Sequence, residues 1–308
     1  MAEKPYTLLR ELHWRFDALC WDIVAGIVRA APLDAASNFG GALARRLGPL
    51  TGVHKTVMRN LRLAFPEWDD AERRRVALAQ WENVGRTFME FVIIDRIMAD
   101  PARVEVVGRE HLEAIAASGR PAVLISGHFA NWELLPAAAV ELGLPVVLAY
   151  RRANNPYIEK RMRVSRGRYG LQRFVPRAPE SARIILEAMG QGVSVALLND
   201  QKYDEGVAAP FFGRPAHTLP AAVRFALRFG TCLQPASVQR LKGARFRIVM
   251  HEPIEVPSTG SRAADIEAGV RVVNAFIEAR VRERPAEWWW VHRRFPTEVY
   301  ADLAAQGY

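Results

Sequence analysis

Residues 121–142 read PAVLISGHFANWELLPAAAVEL and contain the clearest indication of the fold class. Its first part, 121–126, is a continuous apolar run typical of a buried strand, and an apolar helix is predicted at 131–142. Gly127 separates the two and permits a tight turn, because glycine tolerates backbone angles that are closed to other residues. A strand that turns directly into a helix is the repeating unit of an α/β sheet, so the stretch predicts an α/β fold.

The same alternation continues along the chain after Pro101. Further strands are predicted at 103–107, 145–149, 171–175, 193–198, 233–239 and 245–251. Further helices are predicted at 156–168, 179–189, 219–229 and 262–284. Residues 101–308 are therefore expected to form an α/β core, a mixed sheet flanked by helices.

Residues 1–100 are expected to be helical and to form one functional unit with the core, since no flexible linker separates them. A helix is predicted at 70–98, opened by the capping pair Asp69 and Glu72. An earlier helix, at 8–31, carries one apolar stripe made of Leu12, Phe16, Leu19, Ile23, Val24 and Ile27. Either the rest of the protein or a bilayer interface can cover this stripe, and the sequence leaves both open.

The N-terminal region shows no feature of an exported or membrane-spanning protein. Residues 1–6 lack the form of a secretory signal, and four charged residues interrupt the apolar helix before it could cross a bilayer: Arg15, Asp17, Asp22 and Arg29. Two cysteines are too few for a disulfide framework. We therefore expect an intracellular, reducing setting.

Positive charge is concentrated in one window of the chain. The formal net charge is +9, and residues 151–177 hold nine basic residues and one acid, Glu159. Such a window favours anionic partners such as lipid headgroups, acidic proteins or nucleic acid. A solvated helix face is the alternative for any single arginine.

His128 and Glu133 are the candidates for catalysis. Residues five apart do not share a helix face, so the two side chains meet only if His128 lies on the turn before the helix. The Glu133 carboxylate would then fix the imidazole tautomer, leaving the other nitrogen to take a proton from a hydroxyl. In the alternative, His128 and Asn131 cap the helix and Glu133 faces solvent.

Other polar residues are candidates for substrate binding. Arg151, Arg166 and Arg168 offer guanidinium groups that match phosphate oxygens. Asn131 lies on the turn after His128, and Asn155 is placed to position the basic segment. Asp200 follows an apolar strand, where it can orient an arginine or a headgroup hydroxyl, or form a structural salt bridge.

Five ordered blocks between about residue 20 and residue 296 resemble the bacterial lipid A biosynthesis acyltransferase family. The His128 to Glu133 segment resembles the family's His-x-x-x-x-Glu motif. The other blocks are Asn60 to Pro66, Tyr150 to Pro156, Asp200-Gln201 with Pro210 to Thr218, and Pro285 to Arg294. In the second of these, Arg152 stands where the family has a proline.

The resemblance implies a glycerolipid acyltransferase type of fold, with the enzyme bound at the cytoplasmic face of the inner membrane. It implies acyl carrier protein as the donor, a lipid A precursor as the acceptor, and no metal or nucleotide cofactor. This agrees with the residues, because a thioester is already activated and transfer needs only a base, a positioned nucleophile and oxyanion stabilisation.

Two other functions remain compatible with the residues. The same chemistry can serve another membrane acceptor, such as a phosphoglycolipid. A non-catalytic basic module that binds anionic membrane or nucleic acid would explain the charge but not the His128 to Glu133 turn. A serine hydrolase is disfavoured because Gly192-Val193-Ser194-Val195-Ala196 ends in alanine and lies within a predicted strand.

Overall fold

The computed structural model describes residues 7–176 and 181–307. Residues 1–6, Arg177 of the basic window and the start of the helix predicted at 179–189 lie outside them. Helices α1 to α12 are Leu8–Ala30, Leu33–Leu47, Val53–Ala64, Asp70–Glu90, Ile94–Met98, Arg109–Ser118, Leu134–Glu141, Pro156–Gly167, Ser181–Gly190, Ala221–Phe229, Arg262–Glu283 and Thr297–Ala305. Strands β1 to β9 are Val104–Val107, Val123–Ser126, Val146–Tyr150, Phe174–Pro176, Ser194–Leu198, Lys202–Phe211, Arg214–Thr218, Leu233–Arg240 and Phe246–Met250.

The predicted α/β architecture, a mixed sheet flanked by helices, is confirmed. The main sheet has the order β1-β9-β8-β2-β5-β3-β4. Strand β2 is parallel to both of its neighbours, β5 and β8, whereas β8 and β9 are antiparallel. Because β2, β5 and β3 are parallel, their carboxyl ends share one edge of the sheet, which is where sites form in such folds.

The core is divided between the two faces of this sheet. One cluster contains Ile125, Val175 and Phe225 and includes residues of α9, α10 and α11. The other contains Leu124 and Leu148 and includes residues of α5, α6 and α7. Successive strand residues therefore enter different clusters, as the pleat of a strand requires.

One pair of strands was not predicted, and one predicted helix was too long. Strands β6 and β7 form a separate two-stranded sheet that the sequence does not reveal, because Asp204, Glu205 and Pro210 are residue types depleted in strands. The helix predicted at 70–98 ends at Glu90 and is followed by a 3-10 turn and α5. Val92, Ile93 and Ile94 are all buried there, so this run does not follow the single stripe of a continuous helix.

The N-terminal helix exposes its apolar stripe. Leu12, Phe16 and Ile27 are more than half exposed at 54, 62 and 64%, whereas Ala18 and Val28 are the buried residues of α1. The helix is attached through the apolar packing of Trp21 and Val28 and through the Arg29–Asp95 ion pair at 2.8 Å. Within the described ranges, the helices are too short or too polar to span a bilayer.

Candidate active site

The site is built on the turn that follows β2. A Cβ at Gly127 would lie 2.9 Å from the Phe129 ring and 3.1 Å from Asp200 Oδ2, so only glycine fits beside these groups. Ala130 has φ 45°, a left-handed conformation that is costly for alanine. Its amide N–H donates to Glu287 O at 2.8 Å, and its carbonyl accepts from Thr87 Oγ1 at 2.9 Å. These two hydrogen bonds hold this conformation in place.

Asn131 stabilises this turn through a buried hydrogen bond. Its amide donates to the buried Glu90 carboxylate at 3.0 Å, and Glu90 also pairs with Arg240. Asn131 is fully buried and is not among the residues that line the cavity described below. The helix begins at Leu134 and not near Asn131, because the turn occupies the intervening residues. These contacts give Asn131 a structural role in the turn, and its part in substrate binding stays a prediction.

His128 is oriented by Asp200, which follows β5. Nδ1 of the imidazole lies 2.7 Å from Asp200 Oδ1, and the backbone N–H of His128 donates to Asp200 Oδ2 at 2.7 Å. A carboxylate only accepts, so in the neutral imidazole Nδ1 carries the proton and Nε2 is the free nitrogen. The imidazole remains partly open, with 14% of its side chain exposed.

The Asp200 carboxylate is buried but stays charged. Burial raises its pKa, yet the adjacent His128 imidazole and the N–H donors outweigh burial and lower the pKa to about 2. One of these donors is Trp288 Nε1, at 2.7 Å from Asp200 Oδ2. A charged acceptor with three donors has a fixed geometry, so the imidazole can hardly rotate out of position.

Trp288 is a site residue that the sequence did not assign. Trp288 and Trp290 are buried, with 2% and 0% of each residue exposed. Asn60 fixes the segment by donating to the carbonyls of Trp290 and His292 at 2.6 and 2.8 Å. The sequence offered little indication of this role, because the hydrogen-bond partner of a tryptophan N–H is visible only in the folded chain.

Glu133 does not contact His128, so the predicted partner of the imidazole is corrected to Asp200. Both Glu133 oxygens instead accept from Arg166, at 2.9 and 2.5 Å. Glu133 is the residue before α7, and its side chain is directed to α8. This pair is buried, with 5% of Arg166 and 9% of Glu133 exposed, and the Glu133 carboxylate keeps the pKa of Arg166 above its ordinary value despite burial.

We expect Arg166→Met to destabilise the protein by about 3–5 kcal/mol, because it leaves the Glu133 carboxylate buried without a partner. Chemical denaturation measures this loss. Arg168→Met is the matched control, since Arg168 is exposed at the end of α8 and a surface change there should cost roughly 0.5 kcal/mol or less. Adding Glu133→Leu to Arg166→Met should restore part of the stability, and a double variant no better than the single one contradicts the pairing.

The remaining predicted binding residues separate into two groups. Arg151 and Arg166 line the cavity, whereas Arg168 and Asn155 do not. Asn155 caps α8 by accepting from Tyr157 N at 3.0 Å and ties that helix to α1 by donating to Trp14 O at 3.0 Å. Asn155 therefore fixes the start of α8 against α1, and a direct role in substrate binding for Asn155 or Arg168 stays a prediction.

An apolar cavity of about 720 Å³ opens beside His128. Its walls come from the carboxyl halves of β2, β3 and β5 and from α7, α9 and α10. The lining near the turn includes the polar or aromatic side chains of Ser126, His128, Trp132, Glu133 and Arg166. A large apolar cavity with a few converging polar groups is typical of a ligand site, and its size suits a lipid chain.

Comparisons with known proteins identify the family of the chain. The model of the bacterial lipid A biosynthesis acyltransferase family matches residues 13–297. The lipid A biosynthesis lauroyltransferase of Escherichia coli K12 is 29% identical over 253 residues, which are 79% of each chain. The lipid A biosynthesis palmitoleoyltransferase of the same organism is 25% identical over 83% of this chain and 82% of its own.

A solved structure, the 1-acyl-sn-glycerophosphate (LPA) acyltransferase PlsC from Thermotoga maritima, superposes with a TM-score of only 0.37 at 16% identity. It covers 83% of this chain and 99% of its own. The match to the family model spans nearly the whole chain. The chain therefore belongs to the bacterial lipid A biosynthesis acyltransferase family, and it is an acyltransferase.

Proposed function

We propose that the chain transfers a fatty acyl group from an acyl carrier protein thioester to a hydroxyl of a lipid A precursor, with His128 as the general base. The observation that carries this proposal is the His128–Asp200 pair beside the apolar cavity. The base is available for a hydroxyl, and the cavity accepts a hydrocarbon chain. The names of the relatives support a lipid A acceptor.

In the proposed first step, Nε2 of His128 removes the proton of the acceptor hydroxyl as its oxygen attacks the thioester carbonyl. The charged Asp200 stabilises the imidazolium that forms, because it faces the protonated Nδ1 at 2.7 Å. Collapse of the tetrahedral intermediate forms the ester and breaks the carbon–sulfur bond. The leaving thiolate takes the proton back from Nε2, so the enzyme returns to its initial state.

The oxyanion needs a donor other than the turn itself. The backbone N–H groups of His128, Phe129 and Ala130 already donate to Asp200, Gly127 O and Glu287 O. Arg166 lines the cavity, and its buried ion pair with Glu133 holds the guanidinium in place. We assign Arg166 as the oxyanion donor and Glu133 as the residue that positions it.

Arg151 and Arg152 are our candidates for the acceptor phosphates. Both are exposed directly after β3, and Arg151 also lines the cavity. Other members of the basic window are already engaged: Arg161 pairs with Asp22, and Arg163 with Glu159. The same exposed arginines are suited to the acidic acyl carrier protein, because opposite charges increase the rate of encounter.

The exposed stripe of α1 supports binding at the inner membrane, on the cytoplasmic face where the donor is available. We propose that residues 1–100 and 101–308 act as one unit, in which α1 lies flat in the bilayer interface and places the cavity near the lipid acceptor. The contacts of α1 with α8, through Trp14, Asp17 and Asp22, would couple this docking to the basic segment.

We expect Phe16→Glu combined with Ile23→Glu to weaken binding to vesicles of phosphatidylethanolamine and phosphatidylglycerol by at least about ten-fold. Each apolar side chain contributes roughly 1.5–3 kcal/mol when it is buried, and both are more than half exposed in the protein. Sedimentation with vesicles measures the effect. A control with Val107→Glu and Leu241→Glu adds the same charge at exposed apolar positions outside α1. Equal losses in the two variants would contradict the role of α1.

The proposed function is tested by incubating the purified protein with radiolabelled acyl carrier protein thioesters and the tetra-acylated lipid A precursor in detergent. A labelled, more highly acylated lipid is the expected product. Transfer only to another membrane lipid would overturn the acceptor but not the reaction. Failure to consume any thioester would overturn the proposed reaction.

A further inference from the structure

The cavity lies on both faces of the main sheet. It is lined by three pairs of consecutive strand residues: Leu124 and Ile125 on β2, Leu148 and Ala149 on β3, and Ala196 and Leu197 on β5. Consecutive side chains of a strand point to opposite faces. The cavity therefore passes around the carboxyl edge of these strands and has one arm on each face.

One arm lies under α7, and we call it the closed arm. Its lining includes Leu148, Leu124, Ala139, Ala236 and Met250, all of them buried. These residues cross the sheet from β3 to β9 by way of β5, β2 and β8, a width of about 19 Å at the usual strand spacing. The small side chains of Ala139 on α7 and Ala236 on β8 leave this space open.

The other arm lies under α9 and α10, and we call it the open arm. Ile125, Val175, Ile185 and Phe225 form its apolar walls and belong to the core cluster on that face. Ala182 also lines the cavity, but it is exposed. This arm therefore reaches the protein surface along α9.

His128 follows β2 at the edge where the two arms join. Acyl transfer brings a thioester carbonyl and an acceptor oxygen together at one base, and each can be attached to its own hydrocarbon chain. The cavity volume of about 720 Å³ is in the upper part of the range of small-molecule sites, and it is divided between the two faces.

We infer that the closed arm holds the donor acyl chain, with Ala139, Ala236 and Met250 setting its length, and that the open arm holds a hydrocarbon chain of the acceptor. This rests on the proposed function. A donor chain must leave water completely, which fits an arm whose lining is buried. A lipid acceptor enters from the bilayer, which fits an arm that reaches the surface. Donor and acceptor selectivity are then set by separate residues on opposite faces of the sheet.

The test compares Ala139→Leu and Met250→Ala in the closed arm with Ala182→Trp at the mouth of the open arm. For each variant, kcat/KM is measured with acyl carrier protein thioesters of graded chain length, and KM is measured for the acceptor. Ala139→Leu should lower kcat/KM for the longest donor used by the wild type by about ten-fold or more and spare shorter donors. Met250→Ala should extend the range to longer donors, a gain that misfolding does not produce.

Ala182→Trp should raise the acceptor KM by about ten-fold and leave the order of donor preference unchanged. The inference would be overturned if folded closed-arm variants kept the wild-type dependence of kcat/KM on donor chain length. It would also be overturned if Ala182→Trp changed that dependence. If the wild type transfers no acyl group at all, the proposed function fails, and the closed arm is tested by binding of free fatty acids of the same lengths. Binding whose length preference does not respond to Ala139→Leu or Met250→Ala would then overturn the assignment of the arm.

Discussion

Asp200→Asn is expected to lower kcat by about 1,000- to 10,000-fold while the protein remains folded. Two N–H groups, from the His128 backbone and Trp288, converge on Oδ2 of the carboxylate. An asparagine has a single side-chain oxygen, and it takes the place of Oδ2 because both N–H groups need an acceptor there. The amide NH₂ then faces Nδ1 of the imidazole. Nδ1 must then accept, and the proton moves to Nε2, where it blocks general-base catalysis.

Steady-state kinetics of acyl transfer measure this effect, with circular dichroism as a check that the variant is folded. The matched variant is Glu133→Gln, which changes the other carboxylate near the turn but leaves the His128–Asp200 contact in place. We expect the loss of kcat in Glu133→Gln to be smaller than that in Asp200→Asn. A loss of kcat in Asp200→Asn no larger than that in Glu133→Gln would contradict the role assigned to Asp200.

The pH dependence follows from the same carboxylate. Because the pKa of Asp200 is lowered to about 2, it stays charged in any ordinary assay. The unfolded chain has the higher pKa, so the charged carboxylate contributes stability above pH 4, and this is lost as the pH falls towards 2. Its protonation therefore does not shape the activity profile near neutral pH.

His128→Ala is expected to lower the rate of acyl transfer by at least about 1,000-fold, since a positioned base accelerates a reaction by up to roughly 10⁴-fold. The change should leave lipid binding intact, because the apolar cavity walls and the α1 stripe do not depend on the imidazole. Single-turnover transfer and vesicle binding are measured on the same preparation.

His13→Ala is the control for His128→Ala, because 72% of the His13 side chain is exposed on α1. It should retain full transfer. A His128 variant that keeps turnover but loses lipid binding would contradict the assigned chemistry and favour the non-catalytic binding module.

Much of the fold could be predicted from local patterns. The apolar run of β2 and the stripe of α1 are properties of neighbouring residues, and both elements form where the periodicity placed them. The hairpin of β6 and β7 was missed because its strands pair mainly with each other and carry residues that strands usually avoid. The apolar stripe of α1 showed that a partner is needed, but not that the core leaves it uncovered.

The site was only partly predictable for a different reason. His128 follows a buried strand, and the resemblance to a family motif selected it. Its partner Asp200 lies 72 residues further along, and the two meet only because β2 and β5 are adjacent and parallel. Glu133 was the nearest carboxylate in sequence, but its side chain is directed to Arg166 on α8. Sequence spacing within one turn therefore suggested the wrong partner.

The central claim, that Asp200 fixes His128 with Nε2 as the base, is tested most directly by nitrogen NMR of the ¹⁵N-labelled imidazole at a pH where it is neutral. We predict a protonated Nδ1 and a bare Nε2 in the wild type and in Glu133→Gln, and the reverse tautomer in Asp200→Asn. A protonated Nε2 in the wild type, or a tautomer that changes with Glu133 and not with Asp200, would contradict the claim.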